Sequence, residues 1–151
     1  MMSETVHVFR KKMAVLSLLV LLATGIQSCT PKISPFNETA YQQAVQLKVK
    51  SLNLISNADK PFSDYKDAVE LLKTELNIAH EYAKGRPNND FTIEQWNILL
   101  DENRNMLGGF LKRWEQAGSV SSGFMEEAKE NIAQAFDTII GLESGKIKKG
   151  E

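Results

Sequence analysis

Apolar residues recur along most of the chain in steps of three and four, the period of a helix that buries one face. Four stretches carry this rhythm. The first runs from Asn37 to Ser56 and puts Tyr41, Val45, Leu52 and Ile55 on one stripe, with Ala44, Leu47 and Val49 beside it. Lys48 interrupts that stripe, and its long stem can lie on apolar surface while the ammonium reaches water. Ser34 or Asn37 is placed to cap this helix, with Glu38 in its first turn. The second runs from Asp64 to Lys84, capped by Ser63, and aligns Tyr65, Val69, Leu72, Leu76, Ala79 and Ala83. Leu71, Ile78 and Tyr82 widen its apolar face, and Lys66 can pair with Glu70 on the outside. The third opens on Thr92-Ile93-Glu94-Gln95, a capping-box pattern, and continues through Trp96, Leu100, Asn103, Leu107, Phe110 and Trp114. The fourth runs from Phe124 to Glu143 through Met125, Ala128, Ile132, Ala135, Ile139 and Leu142, with Phe136 and Ile140 alongside.

The punctuation between these stretches is of the kind that ends helices. Pro61 follows the first, Gly85 and Pro87 follow the second, and a Gly/Ser-rich segment from Ala117 to Gly123 follows the third. No strand-like alternation competes. The pattern therefore predicts an all-α domain over residues 37–143, an antiparallel up-down-up-down four-helix bundle.

Two irregularities interrupt the third stretch. Asn103 stands where an apolar residue is expected, so it needs partners if buried. Gly108-Gly109 costs helix stability, about 1 kcal/mol each relative to Ala, which points to close helix packing, a kink, or a break that opens a pocket. Asn103, Gly108 and Gly109 are thus candidate ligand contacts. Trp96 and Trp114, near opposite ends of the same stretch, are expected in the core, with exposure to a partner as the alternative.

The beginning of the chain follows a different pattern. Arg10-Lys11-Lys12 precede an apolar run from Met13 to Ala23, and small and polar residues then lead to Cys29. This is the layout of an export signal over residues 1–28. From Met13 to Ile26 the run falls short of the roughly 20 residues that span a bilayer as a permanent helix. Ile26-Gln27-Ser28-Cys29 resembles a bacterial lipobox; Gln27 departs from the small or apolar residue usual at its position. The resemblance implies that the thiol of Cys29 is lipidated, that Cys29 becomes the mature N-terminus, and that the protein is held on the cell envelope by lipid. Thr30 after the cysteine, in place of an inner-membrane retention Asp or a run of acidic residues, leans the resemblance toward the periplasmic face of the outer membrane. Ordinary cleavage after Gly25 or Ser28, leaving a free thiol, and an uncleaved membrane anchor are the alternatives. Residues 29–36, with Pro31 and Pro35, form the expected tether, and residues 144–151, with Lys146, Lys148 and Lys149, a basic tail.

Composition narrows the chemistry. The 151 residues carry 18 basic and 19 acidic side chains, without the clustered cationic excess that nucleic acid requires. With one cysteine, no intrachain disulfide can form. Beyond the signal the one histidine is His80, expected at the rim near a helix C-terminus, which leaves metal sites and catalytic triads short of residues. Gly108-Gly109 follows no strand and lacks the Lys-Ser/Thr of a phosphate loop. The sequence thus predicts no cofactor, no metal and no enzyme. The expected function is that of a membrane-tethered interaction or structural module with an envelope protein partner; a small-ligand-binding bundle is the alternative.

Overall fold

A computed structural model describes residues 34–145 of the chain. The signal, Cys29, the tether up to Ile33 and the tail from Lys146 lie outside the described residues. Among those described there are five α-helices, one short 3-10 turn and no strand. The helices are α1 (Glu38–Ile55), α2 (Lys66–Lys84), α3 (Asp90–Leu100), α4 (Leu107–Ala117) and α5 (Ser122–Glu143), with the 3-10 turn at Phe62–Asp64.

Local chemistry accounts for most of the boundaries. The Asn37 side chain accepts from the Ala40 amide at 2.9 Å and caps α1. Ser34, the other cap considered, instead donates its hydroxyl to the Pro87 carbonyl. At α2 the sequence reading needs correction: Ser63 falls in the 3-10 turn, and the helix starts at Lys66 behind Tyr65, without a side-chain cap. Helix α3 starts at Asp90, two residues before the predicted capping box, so Thr92 is buried inside the first turn. Ser121 caps α5 by accepting from the Phe124 amide. Gly118 ends α4 at φ +77°, a backbone conformation that a side chain would disfavour.

The largest correction concerns the third stretch. Residues 92–114 do not form one helix: the chain leaves helical conformation at Asp101 and re-enters it at Leu107. Asp101 begins the break by accepting from the Asn103 backbone amide at 2.9 Å, a local turn that competes with the helix. The two glycines make the re-entry fit. A Cβ on Gly108 would sit 2.1 Å from the Leu100 carbonyl oxygen, and one on Gly109 would sit 1.9 Å from that of Arg104. Both distances are far inside van der Waals contact, so the first turn of α4 can press against the end of α3, at Gly108, and against the α3–α4 connection, at Gly109, only where side chains are missing.

Helix α1 packs against α2 and α5; α3 packs against α2, α4 and α5; α4 packs against α5. Their shared core holds Leu47, Ile55, Val69, Leu72, Leu76, Leu99, Leu111, Ile132, Phe136 and Ile139, each 4% exposed or less. Each such side chain stabilises the fold by about 1.5–3 kcal/mol through burial. On α1 the inward face is Ala40, Ala44, Leu47, Ser51 and Ile55, a rotation from the expected stripe that leaves Tyr41, Val45 and Leu52 half-buried. The small alanines let neighbouring helices approach. Lys48 reaches across to Asp137 of α5 at 2.6 Å, and Glu70 pairs with Lys73 rather than with Lys66.

Backbone hydrogen bonds fix which ends meet. At one end Phe62 N–H donates to the Gly118 carbonyl (2.7 Å) and Val120 N–H to the Ala58 carbonyl (2.9 Å), joining the α1–α2 and α4–α5 connections. The opposite end gathers the start of α1, the α2–α3 connection and the end of α5.

Candidate interaction surface and clamped end

Trp96 and Trp114 are core residues. Trp96 is 2% exposed and meets Phe136 edge-on at 6.0 Å between ring centroids. Trp114 is fully buried, edge-on to Phe62 at 5.5 Å and beside Tyr65, and its indole N–H donates to the Lys60 carbonyl at 3.1 Å. Neither ring presents a surface to a partner.

Asn103 is exposed in the α3–α4 break, its side-chain amide directed to Asp101. It lines neither of the hollows that the two glycines border. Gly108 and Gly109 do line hollows, but different ones. Gly108 borders a cavity of about 120 Å³ with Asn77, Glu102 and Leu111. Gly109 borders one of about 110 Å³ with Arg113, Phe124, Glu127 and Asn131. The Arg113 guanidinium lies 4.4 Å from the centre of the Phe124 ring, which itself stacks on Phe110. Pockets for drug-sized ligands run from about 300 Å³ upward. The three residues grouped by the sequence reading therefore do not converge on one cavity.

A larger hollow, about 390 Å³, lies on the outer side of α1 and α2. Its floor is apolar, from Leu54, Tyr65, Ala68, Leu71 and Leu72, and its rim is polar, from Lys50, Asn53, Asn57 and Glu75. Lys50 and Glu75 pair across it at 2.6 Å. Leu71 and Ile78, expected to broaden the buried face of α2, are instead 61% and 57% exposed. They stand two turns apart on the outward face, and Tyr82 follows one turn beyond Ile78. Apolar side chains aligned on the outside of a helix mark an interaction surface more often than single scattered ones do. Periodicity placed Val69, Leu72, Leu76, Ala79 and Ala83 on the inward stripe of α2 but could not say how wide the buried face would be.

The end of the domain where the N-terminal segment enters is clamped. Arg86, from the α2–α3 connection, donates to the Glu143 carboxylate in the last turn of α5 and to the Pro35 carbonyl. The two ionic side chains are 10% and 2% exposed. Asn89 nearby donates to the Ala83 carbonyl at 2.9 Å. The Tyr82 hydroxyl donates to Asn37 at 3.2 Å, tying α2 to the cap of α1. Ser34 is 4% exposed, so the expected tether of residues 29–36 already belongs to the domain by Ser34.

His80 is half-buried on α2, and its Nε2 is out of water without a hydrogen-bond partner. Burial pushes its pKa below the ordinary value, and Lys84 adds to this; Glu81 and Asn97 pull the other way. Among the described residues no group of three or more His, Cys, Asp or Glu could hold a metal ion. No described helix is long and apolar enough to cross a membrane.

No family model matches the chain, and neither a curated protein nor a solved structure matches it.

Proposed function

We propose that this protein is a lipid-anchored, non-catalytic interaction module of the bacterial cell envelope, held at Cys29 on the periplasmic face of the outer membrane. In this reading the helices form an up-down-up-down bundle in which α3 and α4 together act as the third segment. The bundle is the platform, and the outer face of α1 and α2 is the working surface, contacted by an envelope protein.

The observation that carries the proposal is the exposure of Leu71 and Ile78 beside the apolar floor of the 390 Å³ hollow. Apolar groups kept in water at regular helical spacing contribute nothing to the fold, whereas a partner that covers them gains about 25 cal/mol per Å² of apolar area. The smaller hollows at Gly108 and Gly109 suit a small-molecule reading less well, because the first is about 120 Å³, the second about 110 Å³, and they do not join with Asn103.

Two experiments test the two halves. For anchoring, Cys29→Ala is expected to move the protein from the membrane fraction to the soluble periplasm, while the wild type carries acyl mass on Cys29. A Cys29→Ala chain still bound to membranes, together with an unmodified wild type, removes the anchor from the proposal. For the working surface, a photo-crosslinker at position 71 is expected to trap one defined envelope protein in cells, and Ile78→Asp is expected to abolish that adduct. An adduct pattern indifferent to Ile78→Asp removes the surface.

A further inference from the structure

Phe36 is the second apolar patch that the core leaves uncovered. It is 60% exposed, directly before the Asn37 cap, and its ring lies 6.2 Å from that of Tyr41. Tyr82, 37% exposed, bonds to Asn37, so Phe36 and Tyr82 flank the same cap. The patch therefore sits where the N-terminal segment joins the domain. Arg86 and Pro87 hold Pro35 and Ser34 in place there.

We infer that this patch is a lipid-facing surface, and that Phe36, with Tyr82, seats the domain on the bilayer to which Cys29 attaches it. The inference rests on the lipid-anchor reading above. Its force comes from chain length. From Cys29 to Ser34 there are five residue steps, which reach about 18 Å at full extension. A chain lipidated at Cys29 keeps Phe36 within about 25 Å of the bilayer surface even at full extension, so the membrane is always within reach of the patch. Phenylalanine and tyrosine suit that layer, where an apolar ring and a polar tip are both satisfied. The patch is too small for a stable dimer, which needs about 800 Å² from each partner. A tethered domain needs no such area, because the anchor already supplies the proximity.

The test places a fluorescent reporter at the patch. Full-length protein purified from cells is reconstituted into phosphatidylethanolamine/phosphatidylglycerol vesicles, with or without lipids brominated near the headgroup. Phe36→Trp provides the reporter and Val49→Trp, exposed near the middle of α1, the control; buried Trp96 and Trp114 give a constant background. Insertion by the 5–10 Å typical of interfacial side chains should cut Phe36→Trp emission about two-fold in brominated vesicles and leave Val49→Trp unchanged. Protein that floats with the vesicles but shows no bromine effect at position 36 overturns the inference and leaves the anchor standing. Equal quenching at both positions, or a blue shift at position 36 without quenching, overturns it in favour of general adsorption or of a second copy. If the protein does not float and carries no acyl group, the anchor reading fails by itself. The single thiol of Cys29 is then coupled to a maleimide lipid to restore the tether, and the same two emissions decide.

Discussion

Arg86 and Glu143 are 57 residues apart in sequence and form an ion pair with both side chains almost out of water. Burial makes the pair asymmetric in its consequences. Together the charges roughly offset the cost of their desolvation, but either one alone is a stranded charge. Arg86→Ala is expected to lower stability by about 3–5 kcal/mol. Replacing both residues with apolar ones of similar size should restore much of the loss. Urea unfolding of the single and double variants measures this, and amide exchange at Ala40, whose N–H the Asn37 cap holds, should quicken in Arg86→Ala.

Gly108 and Gly109 give a prediction opposite to helix propensity. In a free helix, Gly→Ala gains about 1 kcal/mol per residue. Here each added methyl meets a backbone carbonyl, 2.1 Å away at Gly108 and 1.9 Å away at Gly109, and a carbonyl cannot swing aside as a side-chain tip can. Gly108→Ala and Gly109→Ala should each destabilise by about 1–3 kcal/mol, the cost of overpacking. A thermal melt that rises would contradict the close approach of α4 to the end of α3, for Gly108→Ala, or to the α3–α4 connection, for Gly109→Ala.

The same glycines mark the limit of what periodicity reveals. Trp96, Leu100, Leu107, Phe110 and Trp114 keep a three-four rhythm straight through the break, so the pattern reads as one helix. The signal for a stop was present in Asp101-Glu102-Asn103-Arg104-Asn105, five polar residues in a row, of which the first caps a turn with its own side chain. The all-α character and the inward faces of α2 and α5 were legible because burial imposes a period on the sequence. The outward stripe of Leu71 and Ile78 was legible as apolar but not as exposed, since exposure depends on where α1 and α3 pack. The Arg86–Glu143 contact leaves no periodic trace, because it joins a connection to a helix end across half the domain.

Position 71 and position 72 should behave in opposite ways. Leu72 is 3% exposed in the core, and Leu72→Ala is expected to cost about 2–5 kcal/mol. Leu71, its neighbour in sequence, is 61% exposed, and Leu71→Ser should change stability by no more than about 0.5 kcal/mol. Chemical denaturation of the two variants reads the difference directly.

His80 supplies a pH dependence with a definite sign. Its folded pKa lies below the ordinary histidine value, so between the two values the unfolded chain binds more protons than the folded one. The contribution of His80 is therefore fully present above the unfolded pKa of about 6.5 and declines as pH falls from there toward the folded value. Relative to His80→Gln, the wild type should lose melting temperature between pH 7.5 and pH 5. A parallel decline in both proteins would assign the acid sensitivity elsewhere.

The clamp at Ser34, Pro35, Arg86 and Glu143 also governs how the domain bears mechanical load. Tension entering through Ser34 does not begin by peeling the first turn of α1, because Arg86 passes it sideways into the last turn of α5. Both ends of the described chain are fastened at this pole, so a pull at the entry point is shared by two of the longest helices. The connections joined by Phe62–Gly118 and Val120–Ala58 lie at the other pole, outside the line of force.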